Sequence, residues 1–199
     1  MSIQAVVLLS GGLDSVYNLY RAHKKWGEGV VAVHYNYGQK AWAPELEAAK
    51  TFCSHLKVDL QVVDISSVFE GGKSSLTNQS NLIPTSEVDI LSEAASIKSA
   101  EKVWVANRNG VLLNVAACLA EKLGASWIVP GFNAEEAATF PDNSVDYIEK
   151  MNACLKLSTA NGVQIRCFSQ AMQKSEIIKD LSQMNANIET LWSCYFGGD

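Results

Sequence analysis

Long apolar runs are missing from the start of this chain. The longest there, Ala5 to Leu9, is far short of the ~20 residues that a membrane-spanning helix needs. No charged segment followed by an apolar core opens it either, so no secretory leader is expected and the protein is read as cytoplasmic, with no membrane partner. Excess positive charge is lacking: 16 Lys and Arg stand against 21 Asp and Glu, a net charge of −5. Such a chain has no overall electrostatic footprint for DNA or RNA, and no nucleic-acid partner is expected. Trp26, Trp42, Trp104 and Trp127 form no aromatic ladder suited to single strands. The five cysteines, Cys53, Cys118, Cys154, Cys167 and Cys194, are odd in number and nowhere closely spaced. This argues against a disulfide framework and for free thiols in a reducing compartment. Cys118, inside an apolar helical stretch, is expected in the core. The three histidines, His23, His34 and His55, lack metal-ligand spacing. Each reads as a surface or core residue, and His34, at the end of a predicted strand, stands out most.

What is present is a chain for one core. With 199 residues, 48% of them apolar, residues 1–199 are read as a single domain. Val6 to Leu9, closed by Gly11-Gly12, reads as a buried strand. Leu13 to Trp26 has helical spacing, with Leu13, Val16, Tyr17, Leu19 and Tyr20 on one face, and Gly27 and Gly29 stop it. The pattern then predicts a strand over Val30 to Tyr35, a helix from Pro44 to about Leu56 and a strand over Leu60 to Ile65. After a gap it predicts helices over Val111 to Leu123, Val145 to Leu157 and Lys174 to Met184, with strands over Trp127 to Pro130 and Val163 to Phe168. Strand and helix in alternation imply an α/β three-layer sandwich with a mostly parallel sheet. Residues 66–100 differ: they are rich in Ser, Thr and Asn and contain Gly71-Gly72 and Pro84. They predict a long insertion over the ligand face, partly helical near Ile90 to Ile97.

The sharpest feature is Ser10-Gly11-Gly12-Leu13-Asp14-Ser15, which follows the first strand and opens the first helix. Two glycines let the backbone approach an anion, and the helix N-terminus offers it N–H groups and a positive dipole end. Ser10 and Ser15 add hydroxyls. Asp14 would repel phosphate unless a Mg²⁺ bridges the two, because a bound cation reverses the local charge logic. The competing reading is a glycine turn with Asp14 as a first-turn cap.

SGGLDS is the signature of the PP-loop ATP pyrophosphatases. Over essentially its whole length the chain resembles one branch, the 7-cyano-7-deazaguanine synthase family of queuosine biosynthesis. Tyr37-Gly38-Gln39-Lys40 matches that family's YGQ-basic motif, and Glu45, Ala48 and Ala49 the helix after it. Further along, the matches are Arg108-Asn109, Gly131-Phe132-Asn133-Ala134-Glu135, Pro141-Asp142, Lys174-Ser175-Glu176-Ile177 and Leu191-Trp192-Ser193-Cys194-Tyr195.

The resemblance implies a PP-loop sandwich fold, ATP with Mg²⁺ held at Asp14, a homodimer, and 7-carboxy-7-deazaguanine or a similar small molecule with ammonia as substrates. A carboxylate would be adenylated, converted to an amide, adenylated again and released as a nitrile. The substrates supply every nucleophile, so the protein positions and stabilises charge. Ser10, Gly11, Gly12, Leu13, Asp14, Ser15 and Tyr35 are expected to hold the nucleotide. Lys174 is the cation expected at the α-phosphate, or else a solvated surface lysine. Arg108 is a planar donor for phosphate or carboxylate, or else a surface ion pair. Tyr37, Gln39, Asn109, Asn133, Glu135 and Asp142 are the expected substrate contacts. An acidic group would accept the guanine-like N–H edge and Asn133 could donate and accept there; Asp142 reads otherwise as a cap and Glu135 as a solvated residue. Tyr35 and Tyr37 either stack on a base or belong to the core.

Three departures from the family stand out. Asn143-Ser144 replaces Cys-Arg after Pro141-Asp142, and Ala106-Asn107 replaces Pro-Gly before Arg108. The family's zinc site uses the cysteine corresponding to Cys194 with further cysteines after it, and here the ligand set is incomplete, so zinc binding by this sequence is not expected. Two other readings compete: a relative that stops at an amide or transfers to another acceptor, and a nucleotide sensor without turnover. Asp14 and Lys174 favour catalysis, since merely holding a nucleotide requires neither.

Overall fold

The computed structural model describes residues 2–78 and 101–194. Their centre is a parallel five-stranded sheet in the order β3-β2-β1-β4-β5. Its strands are β1 (Ala5–Leu8), β2 (Val30–Asn36), β3 (Asp59–Asp64), β4 (Trp127–Val129) and β5 (Gln164–Ile165). Strand side chains alternate between faces, and the core divides accordingly. Ala5 and Val7 meet Val16 and Tyr17 of α1 (Leu13–Trp26), Phe52 of α2 (Trp42–Leu56) and Ile177 and Leu181 of the helix Lys174–Gln183. Val6 meets Leu113, Ala116, Ala117 and Ala120 of the helix Arg108–Leu123 and Leu155 of the helix Val145–Ser158. With α3 (Ser66–Phe69) and a short Ala134–Thr139 helix included, the later helices are α4 (Arg108–Leu123), α5 (Ala134–Thr139), α6 (Val145–Ser158) and α7 (Lys174–Gln183). Helices cover both faces, which is the three-layer α/β arrangement the alternating pattern requires.

The order places the site. From β1 the chain adds β2 and β3 on one side, then returns to add β4 and β5 on the other. In open α/β sheets ligands bind at the carboxyl ends of the strands where this reversal occurs. Here that point lies between β1 and β4, where the Ser10–Ser15 and Gly131–Glu136 segments emerge side by side.

Several expectations need correction. Cys118 is exposed, not core. The buried stripe of α4 is Leu113, Ala116, Ala117 and Ala120, and one step beyond Ala117 the helix turns position 118 outward. α4 also begins earlier than expected, at Arg108, because Asn107 takes the left-handed conformation (φ 51°) just before it. This explains one departure from the family. Asn visits that region more readily than other non-glycine residues, so Asn107 does here what a glycine would do. β5 has only two residues, since the chain beyond Arg166 turns to bond with Asn18 and Phe132. Of the segment 66–100, residues 66–78 are described; the helical stretch expected near 90–97 lies outside the described residues. Phe69, Leu76 and Val105 form a small third cluster, and Ser75 donates from both N (2.9 Å) and Oγ (3.0 Å) to Lys102 O. No helix among the described residues is long and apolar enough to cross a membrane.

Candidate functional site

The loop after β1 is built for a close backbone approach. Gly11 has φ +88°, and a Cβ there would lie 2.8 Å from both Ala48 Cβ and Glu45 O. Conformation and space both demand glycine. Ser10 N donates to Ser15 Oγ (3.2 Å), and Ser15 Oγ donates to Gly12 O (2.9 Å). Ser15 thus braces the loop. Gly12, the N-cap of α1, has no side chain to cap the helix, and Asp14 stands in the first turn beyond it. The start of this long helix therefore borders the cleft without an N-cap side chain.

Asp14 is held in an unusual state. Burial, then the nearby negative charge of Glu136, push its carboxyl up to about 6, against smaller opposing effects of Asn133 and Lys174. Its Oδ1 is buried and makes no hydrogen bond, and neither does the buried Nδ2 of Asn133. The two side chains are near enough for the amide to favour the charged acid, yet no well-formed bond joins them. A buried acceptor without a partner costs stability, so its presence at a phosphate loop points to a ligand.

The β4 side closes the loop from the other direction. A Cβ on Gly131 would lie 2.7 Å from Ser15 N and 2.8 Å from Ser15 Cα. Glycine there lets the strand end pack on the first turn of α1. Asn133 caps α5, its Oδ1 accepting from Glu136 N at 2.8 Å. Glu136 lines the cleft and pairs with Lys174 Nζ at 3.1 Å. Glu135 does not line the cleft: it is exposed, and its Oε1 accepts from Lys174 N at 2.8 Å, fixing the start of α7. The acid on the wall is therefore the next residue along. Asp142 lies beside the main cleft, in a smaller adjoining hollow shared with Arg108, Glu136 and Asn143. Burial raises its carboxyl, opposed chiefly by Arg108.

The β2 side supplies Tyr35, Tyr37 and Gln39. Tyr35 is core in its packing, and its hydroxyl donates to Leu112 O at 3.1 Å, yet one edge borders the cleft. Tyr37 packs edge-on against Phe69, and the Arg108 guanidinium lies over its ring at 5.6 Å and donates to its hydroxyl at 3.4 Å. Arg108 is thus half-buried against an aromatic wall, not a simple surface ion pair. Gln39 is buried, and Asn109 donates to Asn143 Oδ1 at 3.3 Å, both on the cleft wall. His34 Nδ1 contacts Leu9 O at 2.8 Å, and burial lowers its pKa.

A polar network behind the loop was missed from the sequence. Asn18 is fully buried; its Nδ2 donates to Asp14 O (2.8 Å) and Ser169 Oγ (2.6 Å), and its Oδ1 accepts from Phe168 N (2.8 Å). Ser169 Oγ and Cys167 Sγ donate to Phe132 O. The Asn18 amide thereby ties α1 to the segment after β5, and Ser169 and Cys167 extend the tie to the segment after β4. A polar residue on the buried stripe of α1 was the only available signal. The segment from Leu191 on was matched to a motif, but its contact was not foreseen: Trp192 N donates to Gly11 O at 3.0 Å.

These walls enclose a cleft of about 460 Å³ reached by Ser10, Gly12, Leu13, Asp14 and Ser15 with Arg108, Asn109, Glu136 and Lys174. Its size suits small-molecule ligands. The loop, helix terminus and Lys174 fit a polyphosphate. A single carboxylate, Asp14, fits Mg²⁺, which is commonly held by one or two carboxylates plus substrate phosphates. Cys194 is exposed, and among the described residues no three His, Cys, Asp or Glu side chains could hold a metal.

Comparison with known proteins identifies the family. Residues 4–199 match the family model described as queuosine biosynthesis protein QueC. A 7-cyano-7-deazaguanine synthase of Bdellovibrio bacteriovorus is 44% identical over 98% of this chain and 85% of that protein. One from Carboxydothermus hydrogenoformans is 43% identical over 98% of this chain and 90% of that protein. Among solved structures, a U34-tRNA thiolase, NcsA, from Methanococcus maripaludis superposes with a TM-score of 0.58 at 15% identity, over 93% of this chain and 57% of that one. That likeness concerns the fold alone.

Proposed function

The chain belongs to the QueC family of queuosine biosynthesis, and from that membership we propose how its cleft works. Its activity is the one its relatives are named for, the ATP-dependent making of 7-cyano-7-deazaguanine, which is ligase chemistry forming a carbon–nitrogen bond. The observation that carries the assignment of roles is the orphaned Oδ1 of Asp14 at the mouth of a glycine loop.

In our reading the pyrophosphate end of ATP lies over Gly11, Gly12 and the first turn of α1. Asp14 would hold Mg²⁺, which would supply charge neutralisation for the pyrophosphate. The carboxylate of 7-carboxy-7-deazaguanine attacks the α-phosphorus and pyrophosphate leaves. Lys174, its ammonium shared between Glu136 and the phosphate, follows the charge that develops in that step. Ammonia then attacks the acyl carbon, a C–N bond forms and the C–O bond to AMP breaks. A second ATP takes the amide oxygen in the same way, and loss of AMP with the two N–H protons leaves the nitrile. Asn109, Asn143 and Tyr37, with Arg108 beside it, offer the donors, acceptors and flat face that a guanine-like base needs, while both Gln39 amide hydrogens are already given to Tyr35 O and Glu45. Asn133, which is fully buried, and Asp142, in the adjoining hollow, do not line the main cleft, and neither is assigned to the base.

The test is direct. Purified protein given 7-carboxy-7-deazaguanine, ATP, Mg²⁺ and ammonium should yield the nitrile by mass spectrometry, with AMP and pyrophosphate. An amide as the end product would instead mark a relative that stops after one activation.

A further inference from the structure

One carboxylate in the cleft has no part in that scheme. Glu45 stands in the first turn of α2, and its backbone oxygen is 2.8 Å from where a Cβ on Gly11 would be, so this turn packs on the phosphate loop. Its side chain lines the cleft. Oε2 accepts from Gln39 Nε2 at 3.0 Å. Gln39 cannot swing away, since its Nε2 also donates to Tyr35 O and its Oε1 accepts from Tyr37 N, each at 2.9 Å. Glu45 is thus clamped at one oxygen, and among the described residues no hydrogen bond is made to Oε1.

The other candidate proton acceptors in the cleft are committed. Asp14 is assigned to Mg²⁺, and Glu136 is paired with Lys174. His34 is held by Leu9 O, with its second nitrogen buried. Arg108 and Lys174 are cations, and Arg108 is the one whose charge acts on Glu45, favouring the ionised acid against the larger effect of burial. Meanwhile the chemistry lacks a base. Nitrogen available near neutral pH is mostly ammonium, which has no lone pair to attack with.

We propose that Glu45 is the base that takes a proton from the incoming nitrogen. The proposal rests on the preceding reading that ammonia is the donor. Ammonium binds at Oε1 and gives one proton to the carboxylate. The freed lone pair forms the C–N bond to the acyl carbon, and the C–O bond to AMP breaks with its electron pair on the departing phosphate. The second proton, shed as the tetrahedral adduct collapses, leaves with AMP. Burial helps, because a desolvated carboxylate is a stronger base.

Glu45→Gln preserves the shape and a partner for Gln39 while removing the basicity. Exchange of labelled pyrophosphate into ATP, with the carboxylate substrate and no ammonium, should stay close to the parent's. Formation of amide and nitrile at pH 7 should fall on the order of a hundredfold. The loss should shrink as pH rises and free ammonia replaces ammonium. Equal loss of exchange and product formation would make Glu45 a support of the loop and overturn the proposal, as would unchanged product formation. Absence of nitrile from the parent itself would overturn the underlying reading, and this proposal with it.

Discussion

At Asp14 the cost and the use of one side chain can be separated. Its carboxylate is buried, close to Glu136, and without a hydrogen bond at Oδ1. Asp14→Asn removes the charge and keeps the shape. Pyrophosphate release should fall by at least ~100-fold, since a neutral amide cannot hold Mg²⁺ against pyrophosphate. The variant should remain folded, which circular dichroism would verify; near-normal turnover would return Asp14 to a structural role. Lys174 differs because it already has a partner. Its pairing with Glu136 at 3.1 Å leaves it on the cleft wall, where an arriving phosphate competes for it. Lys174→Ala should lower kcat roughly 100-fold with a smaller change in ATP affinity, since the charge matters most as pyrophosphate departs. Weakened ATP binding with unchanged kcat would instead make it a ground-state clamp.

The elements meet at places where a single methyl group decides. Gly131 has ordinary backbone angles, yet a Cβ there would lie within 3.0 Å of three backbone atoms of Asp14 and Ser15. Backbone on both sides cannot give way cheaply, so Gly131→Ala should cost about 1–3 kcal/mol, read as a lower urea midpoint, and should slow pyrophosphate exchange. A midpoint unchanged from the parent would mean that β4 and α1 can part without consequence. Such contacts explain what was legible in the sequence. α1 runs from Leu13 to Trp26 as expected, because Gly12 and Gly27 mark both ends and its apolar stripe is regular. β5 was overestimated because Val163 to Phe168 looks like a strand, while only neighbouring segments decide how far it pairs. α5 was missed because Asn133, its N-cap, was read only as a ligand contact. Glu135 and Glu136 look alike in a sequence, and which one faces the cleft follows from the rotation that the cap sets. Asn18 and its tie to Phe168 join residues 150 apart, a pairing no local pattern reveals.

For the whole molecule, a ligand site filled with displaced acids should leave a mark on stability against pH. Burial moves Asp14 from 3.8 to about 6 and Glu45 from 4.5 to about 7, and raises Asp142 as well. These acids hold protons more tightly in the folded state than in the unfolded one. Their contribution is thus most favourable below the unfolded values and declines as pH rises through the folded ones. His34 acts in the opposite sense. Its pKa is lowered by burial, so its contribution is present above the unfolded 6.5 and is lost as pH falls below that. The two trends overlap, and a single stability curve cannot separate them. The difference between parent and Asp14→Asn can, because His34 is common to both. Near pH 4 and below, Asp14 is protonated in the folded protein, and the variant should gain little. Above pH 7 the parent carries a buried charge that the variant lacks, and the gain should level off on the order of 1–2 kcal/mol after allowance for partial exposure. Mg²⁺ with ATP should reverse the order, since only the parent would bind it tightly and be stabilised by mass action. Urea melts of both proteins at intervals from pH 4 to 8, with and without Mg²⁺ and ATP, measure all of this. A gain that is the same at pH 4 and pH 8 would mean that the carboxylate of Asp14 is not strained by its burial.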